Sequence, residues 1–269
     1  MPHVTWCLTG HLSFLPIHAA GLYGEKDQPK IFEYVVSSHT PTLTALLSAR
    51  HTPPARGNGP RLLLVSQPEA QMQPSLPGAT REVNVIRSLQ NPSRRLHVTS
   101  LSGAEATVEA VVQSMKSCNW IHLACHGIQH SIEPTNSAFL LNGQLTLNEI
   151  MKQSLNHAEL AFLSACQTAK GDSKLPEEAI HLAAGMLMAG YCSVVGTMWS
   201  IRDDDAPTIA EKFYTYLIGE AGADCTKAAY ALHHAVGHLR DSGEGCSFDR
   251  WVPFIHLGIC SLSEPSISS

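Results

Sequence analysis

The sequence predicts an α/β protein with a mostly parallel central sheet and helices on both faces. Short apolar runs alternate with longer amphipathic segments along most of the chain. Such alternation is typical of parallel sheets, because each parallel connection crosses over the sheet through a helix. A hydrophobic content of 44% with 15% charged residues indicates an ordered globular protein. The chain is therefore long and apolar enough to bury a sizeable core.

The first sixty residues are predicted to be the N-terminal part of the same domain. An apolar run at residues 4–8 predicts a strand, followed by a loop. Residues 34–50 begin as a strand and continue as a short helix, with Thr40 and Pro41 at its start. Residues 51–60 contain three prolines and two glycines, which predicts a linker or surface loop.

Residues 61–260 are predicted to form the core of the domain. Apolar runs predict strands at residues 61–66, 96–101, 120–126, 160–166 and 191–199. Apolar residues at helical spacing predict helices at residues 79–90, 104–116, 148–154, 176–190, 206–217 and 226–239. Asn142–Gly143, between two alternating apolar runs, is typical of a hairpin turn. Residues 251–257 are expected to form a last strand or extended segment, and the serine-rich residues 261–269 a flexible tail.

Two chemistry-bearing residues stand at the carboxyl ends of predicted strands. His126 ends the strand at residues 120–126, and Cys166 ends the strand at residues 160–166. Ligands bind at the carboxyl ends of strands in open α/β sheets. If the two strands are neighbours, the thiol and the imidazole emerge side by side, as a Cys/His nucleophile pair requires. The alternative is that Cys166 is a small buried core residue, which free cysteine often is.

Two nearby residues are interpreted as packing residues. His122 shares a strand face with His126, and burial statistics favour a satisfied core histidine over a catalyst. Cys125 falls on the opposite face by the same alternation and is expected to pack in the core.

Composition and spacing argue against several other function classes. A net charge of −5 gives no electrostatic reason to expect nucleic acid or an anionic membrane as a partner. Eight cysteines without a regular framework favour a reducing, cytoplasmic location. Fifteen histidines are present, but no CxxC or HExxH pattern accompanies them, so we expect no metal. The glycines form no phosphate-cradling pattern, and no other cofactor is expected.

Several motifs in their order along the chain resemble a known family. They are HLACHG, LSACQTAKGD and HLAAGMLMAGYCSVVGTMWSIRDDDAP, with LSFLPIHAAGLYG upstream and RWVPFIHLG near the end. Together they resemble the CHAT domain, a caspase-like family related to separases, caspases and gingipains. The resemblance implies a caspase-like fold and a catalytic dyad of His126 and Cys166. Family members commonly carry upstream helical repeats, so the chain is expected to be part of a longer product.

Further site residues follow from the dyad and the resemblance. We expect the backbone N–H groups of Gly127 and Cys166 to form the oxyanion hole. The polar segment at residues 170–176 is expected to be exposed and mobile. Separases, which cut after arginine, have a similar tryptophan-led acidic segment, which points to Asp203 as the residue that binds a basic substrate side chain and to Asp205 as second choice. The alternative for these aspartates is capping of the following helix, for which Asp205 is the best placed.

The leading functional prediction is a cysteine endopeptidase that cuts a protein substrate after a basic residue. The resemblance implies latency, since active relatives are often held inactive until a partner or upstream domain rearranges their loops. The alternative is a catalytically silent CHAT module that serves as an interaction or oligomerisation platform in a signalling protein. Reactivity of Cys166 discriminates between the two.

Overall fold

The computed structural model describes residues 1–24, 28–49, 59–70, 72–90, 96–130, 132–153, 155–167, 178–242 and 247–260. For residues 48, 165–167 and 178–181 it describes the backbone alone. The predicted loop at residues 170–176, the tail at residues 261–269 and most of the predicted linker at residues 51–60 lie outside the described residues.

One sheet of ten strands forms the centre of the described part of the chain. The strands are β1 (His3–Trp6), β2 (Val36–His39), β3 (Arg61–Ser66), β4 (His97–Ser102), β5 (Trp120–Ile128), β6 (Ala138–Leu141), β7 (Gly143–Thr146), β8 (Leu160–Gln167), β9 (Ser193–Thr197) and β10 (Phe254–Gly258). Their order across the sheet is β1-β2-β10-β9-β8-β5-β3-β4, and the β6–β7 hairpin pairs with the end of β5.

Strand direction divides the sheet into two parts. β9, β8, β5, β3 and β4 run parallel to one another, while β10 is antiparallel to β9 and parallel to β2. The carboxyl ends of β3, β5, β8 and β9 therefore meet at one edge, and those of β1, β2 and β10 point to the opposite edge. The predicted fold class is confirmed, with a mixed rather than purely parallel sheet.

Helices cover both faces of the sheet, as predicted. They are α1 (Leu43–Ala49), α2 (Pro77–Ser88), α3 (Val108–Met115), α4 (Leu147–Met151), α5 (Glu178–Met188), α6 (Ala206–Gly219), α7 (Ala228–Arg240) and α8 (Phe248–Trp251). One buried cluster joins α3, α4 and α5 to Leu63 and Ile121, and the other joins α2, α6 and α7 to Leu62 and Trp120. Neighbouring residues of a strand thus enter different clusters, which follows from the alternation of side chains across a pleated sheet.

Several element boundaries differ from those predicted, and two of the differences have a clear physical reason. Helix α3 begins at Val108, not near residue 104, because the Thr107 hydroxyl caps it by accepting the Ala110 N–H at 3.2 Å. Trp251 closes the short helix α8, and β10 begins only at Phe254. Pro253 stands between the two elements and cannot donate a backbone hydrogen bond.

Candidate functional site

The register of β5 and β8 brings the two predicted dyad residues to the same level of the sheet. Cα of His126 is the register partner of Cα of Cys166. Because neighbouring strands lie about 4.8 Å apart, the two backbones are adjacent at the carboxyl edge. The predicted neighbour relation of the strands is thereby confirmed. The Cys166 thiol lies outside the described side chains, so the dyad itself stays a prediction.

The His126 imidazole is buried, and its two nitrogens have different surroundings. Nε2 lies 2.8 Å from the backbone carbonyl oxygen of Pro74. A carbonyl can only accept, so this contact places the ring proton on Nε2. Nδ1 is buried, and no described residue forms a hydrogen bond with it. The lone pair of Nδ1 is therefore available to accept a proton.

Pro74 belongs to the loop that connects β3 to α2 over this edge of the sheet. The loop is tied to β5 by the Gln67 N–H, which donates to the Ala124 carbonyl at 2.9 Å, and it closes on itself through the Leu76 N–H and the Pro68 carbonyl at 2.8 Å. The contribution of Pro74 is not visible in the sequence, because it is made by a backbone carbonyl and carries no side-chain signal.

Two glutamines that follow β3 and β5 also carry buried polar atoms without a hydrogen-bond partner. Gln67 directly follows β3, and Gln129 directly follows β5. Within the described part of the chain, Oε1 of Gln67 and both amide atoms of Gln129 lack a hydrogen-bond partner. Buried polar groups are usually satisfied by protein, water or a ligand. The carboxyl ends of β3 and β5 therefore offer buried polar atoms that a polar ligand could satisfy.

Gly127, the predicted oxyanion residue, lies inside the sheet. It is the register partner of Phe139 on β6 and of Gln167 on β8. Its backbone groups thus face paired strands on both sides. Hydrogen bonding between the strands therefore competes with an oxyanion for the Gly127 N–H. The oxyanion role of Gly127 and Cys166 stays a prediction.

Asp203 lies at the N-terminus of α2. Its Oδ2 accepts the Gly78 N–H at 2.6 Å and is 3.7 Å from the Arg81 guanidinium. The side chain is 29% exposed. Since Pro74 and Gly78 are four positions apart, one short segment contacts both His126 and the acidic segment. Asp203 is thus connected to the candidate site, and its role toward a substrate stays a prediction.

Asp205 has a different environment from Asp203. Its carboxylate is buried and forms a two-bond ion pair with Arg250, with Nε at 3.0 Å from Oδ2 and Nη2 on Oδ1. Asp205 occupies the N-cap position of α6, as predicted, but its side chain makes no capping hydrogen bond. The predicted capping position is therefore correct, but the carboxylate pairs with Arg250 in place of a backbone N–H. A substrate would have to displace Arg250 to reach this carboxylate, which leaves Asp203 as the better placed of the two.

Both residues assigned to packing are in the core. Cys125 is fully buried in the cluster of α3, α4 and α5, and His122 is fully buried on the other face. None of the six cysteines whose side chains are described forms a disulfide bond. No three His, Cys, Asp or Glu side chains among the described residues converge as metal ligands would. In the same residues, no helix is both long and apolar enough to cross a bilayer.

Comparison with protein families decides the family. The model of the CHAT domain matches residues 1–259. The chain belongs to the CHAT domain family. No curated protein matches this CHAT domain significantly in sequence.

Solved structures show the same fold. The crystal structure of gingipain R, an Arg-specific cysteine proteinase, aligns with a TM-score of 0.60 and 9% identity over 85% of this CHAT domain. The complex of the pro- and mature domains of RgpB from Porphyromonas gingivalis aligns with a TM-score of 0.52 and 9% identity over 84%. The chain spans 55% of each of those chains. The predicted caspase-like fold is confirmed.

Proposed function

We propose that this CHAT domain is a cysteine endopeptidase that uses Cys166 as nucleophile and His126 as its proton acceptor. The observation that carries the proposal is the register of β5 and β8, which makes these two residues neighbours at the carboxyl edge. The bare Nδ1 of His126 supports it, because a general base must offer an unprotonated nitrogen.

The chemistry proceeds in two stages. The Cys166 thiol gives its proton to Nδ1 of His126, and the sulfur attacks the carbonyl carbon of the scissile peptide. As the tetrahedral intermediate collapses, the C–N bond breaks, and the imidazolium returns the proton to the leaving amine. A water molecule then hydrolyses the acyl-enzyme, with His126 again taking up a proton. The Pro74 carbonyl holds Nε2–H throughout and stabilises the imidazolium charge.

We further propose that the substrate carries a basic residue before the scissile bond and that Asp203 binds it. A carboxylate in a partly desolvated pocket holds a guanidinium through two parallel hydrogen bonds. Asp203 is partly exposed, and the segment that contacts it also contacts His126. The neighbouring Asp205 is less suited, because Arg250 already holds its carboxylate.

Latency is part of the same proposal. In this structure the Asp203 carboxylate accepts the Gly78 N–H and faces Arg81, so a basic substrate side chain meets a site that is already engaged. A protein partner or an upstream repeat or sensor domain that shifts the start of α2 would release it. We expect the enzyme to act on cytoplasmic proteins, in a compartment that keeps its thiols reduced.

Cleavage of a peptide library tests the nucleophile assignment. The wild-type domain is compared with the variants Cys166→Ala, His126→Ala and Cys125→Ala. We expect the first two to lose cleavage and Cys125→Ala, a buried cysteine one strand away, to retain it. Cleavage that survives in Cys166→Ala contradicts the proposal. A folded wild type that cleaves nothing favours the alternative of a silent interaction platform.

The specificity assignment is tested with Asp203→Asn. Asparagine keeps an oxygen that can accept the Gly78 N–H, so the start of α2 remains in place while the charge is removed. We expect cleavage after Arg and Lys to fall by about a hundredfold. This corresponds to the loss of a charge-assisted hydrogen bond worth about 3 kcal/mol. Asp204→Asn, at an 82% exposed neighbouring carboxylate, is the control and should retain the preference. Equal behaviour of the two variants would place the basic pocket elsewhere.

A further inference from the structure

A buried carboxylate lies beneath the candidate site. Glu82 on α2 is 1% exposed, and its Oε2 accepts the Ser164 hydroxyl at 2.8 Å. Its Oε1 is 3.1 Å from Nε2 of His122, close enough for electrostatic attraction although the ring N–H is not aligned for a hydrogen bond. Burying a carboxylate costs several kcal/mol unless such partners compensate it. We therefore looked for a function of the Glu82 carboxylate in the contacts that it makes.

The two partners of Glu82 stand on the two strands that carry the dyad. Ser164 is two residues before Cys166 on β8, and His122 is four residues before His126 on β5. The hydrogen bond to Ser164 therefore fixes β8 close to its carboxyl end. The contact with His122 fixes the adjoining part of β5. One carboxylate thus sets the positions of both strands relative to α2.

Helix α2 extends this control to the remaining parts of the site. Its first turn holds Asp203 through the Gly78 N–H, and the loop before it supplies the Pro74 carbonyl to His126. A displacement of α2 relative to β5 and β8 would move the Pro74 carbonyl away from Nε2. Glu82, one turn after Gly78, is the polar anchor that opposes such a displacement.

The far side of the network is closed by α6. His122 stacks on Phe162 with ring centroids 4.8 Å apart, and its Nδ1 lies 3.2 Å from the Tyr214 hydroxyl. Burial and the nearby Glu82 carboxylate raise the pKa of Tyr214 well above its usual value, so the phenol stays protonated. His122 is therefore packed on the side of α6 as well, and its ring stays next to the Glu82 carboxylate.

We propose that Glu82, acting through Ser164, is a positioning residue for the Cys166/His126 site. This inference rests on the proposed peptidase function. Glu82 does not touch the reacting atoms. It keeps β8, β5 and the Pro74 carbonyl in the relative positions that proton transfer from Cys166 to His126 requires, because small misplacements of reacting groups slow a reaction strongly.

Three variants separate positioning from packing. Ser164→Ala removes the strand contact. Ser193→Ala is the matched control, because this serine is also buried and its hydroxyl also forms a hydrogen bond with a buried partner, Nε2 of His256 at 2.7 Å, but it stands at the start of β9. Glu82→Gln keeps an acceptor for Ser164 and removes only the charge.

Two readouts are measured on each variant. One is kcat and KM with the best library peptide, and the other is the pH dependence of Cys166 alkylation by iodoacetamide. For Ser164→Ala we expect kcat to fall about tenfold with KM unchanged, as misplacement predicts. The midpoint of alkylation should move from its wild-type value toward about 8.5, the value of an ordinary cysteine. Urea unfolding checks that Ser164→Ala and Ser193→Ala lose similar amounts of stability.

The outcomes are distinct. Ser193→Ala should keep kcat within about threefold of wild type, since it leaves the Glu82–Ser164 bond in place. Glu82→Gln keeps that bond but loses the attraction to His122, so its kcat should lie between those of Ser164→Ala and wild type. An equal loss in Ser164→Ala and Ser193→Ala would show that only stability is at stake and would overturn the inference. A larger loss in Glu82→Gln than in Ser164→Ala would assign the effect to charge and not to the contact with Ser164, which also overturns it. A wild-type domain without cleavage, whose Cys166 titrates as an ordinary thiol, would instead refute the proposed function.

Discussion

One backbone contact determines which nitrogen of the His126 ring carries the proton. The Pro74 carbonyl fixes the proton on Nε2, and burial removes water as a competing partner of Nδ1. This arrangement suits the proposed role of the ring, which is to receive the Cys166 proton at Nδ1. The same logic places Asp203 and Asp205 in different environments, although only two positions separate them.

The ion pair of Asp205 and Arg250 should stabilise the start of α6. Replacing Arg250 by Met leaves the buried carboxylate without its partner, so we expect the free energy of unfolding to fall by about 3 kcal/mol. Urea denaturation measures the loss. The matched control is Arg202→Met, whose pair with Asp249 at 3.3 Å is more than half exposed on both sides and should cost less than about 1 kcal/mol. Similar losses in both variants would show that Asp205 does not depend on Arg250.

At the scale of elements, α2 is the helix on which the site depends. It faces Asp203 at its start, follows the loop that contacts His126, and carries Glu82 one turn later. Gly78 permits the close approach, because a Cβ at this position would lie 2.2 Å from the backbone oxygen of Asp203. The helix is therefore fitted directly against the acidic segment.

The variant Gly78→Ala tests this fit. We expect a loss of about 2 kcal/mol in the free energy of unfolding, since the new methyl must push the Asp203 backbone away. Cleavage should fall with it, because the loop at Pro74 moves with the helix. Gly237→Ala in α7 is the control, as its Cβ would meet only the Arg240 guanidinium at 3.6 Å. There alanine should stabilise the helix by up to about 1 kcal/mol. A gain of stability in both variants contradicts the proposed fit.

The alternation of strands and helices could be predicted from the sequence, because buried strands show as short apolar runs and helices show apolar residues at helical spacing. The strand at residues 61–66 coincides with β3, and the apolar residues that predict the helix at residues 206–217 enter the core from α6. The pairing of β1 with β2 and of β2 with β10 could not be predicted, since it joins segments far apart in the chain. Nor could the antiparallel direction of β10, which depends on how the chain returns through α8.

At the scale of the whole molecule, the sheet has two carboxyl edges with different chemistry. The dyad residues lie at one edge. Away from them, β2 and β10 carry His39 and His256, both buried. His256 contacts the hydroxyls of Ser38 at 2.6 Å and of Ser193 at 2.7 Å. This polar network links three strands within an otherwise apolar sheet.

These two histidines should make the fold sensitive to acid. Burial, followed by the influence of neighbouring histidines, lowers the pKa of His39 and of His256 to about 3, against 6.5 in the unfolded chain. Below pH 6.5 the unfolded chain therefore binds protons that the folded protein excludes, so the free energy of unfolding falls as the pH is lowered. The slope should reach about 1.4 kcal/mol per pH unit for each histidine.

Urea unfolding at pH 7, 6 and 5 measures this dependence. The exposed His11→Gln variant should show the same slope as the wild type, and His256→Gln a smaller one. A free energy of unfolding that stays constant or rises between pH 7 and pH 5 would contradict the assignment.

The positions of His126 and Cys166 at neighbouring strand ends could be predicted, but the contacts around the candidate site could not. His126 and Cys166 stand at the ends of apolar runs, which the sequence displays directly. The Pro74 carbonyl, the bond of Asp203 to Gly78 and the pair of Asp205 with Arg250 each depend on a contact between distant segments. Local sequence patterns do not encode such contacts, so the N-cap position of Asp205 could be predicted but its pairing with Arg250 could not.

The central claim is that Cys166 and His126 act together in one site. Covalent labelling with an arginyl acyloxymethyl ketone, followed by peptide mapping by mass spectrometry, tests it most directly. We expect the wild-type domain to carry a single adduct on Cys166, and His126→Ala to lose it while remaining folded. Labelling of a different cysteine, or equal labelling of Cys166 in wild type and His126→Ala, would contradict the account.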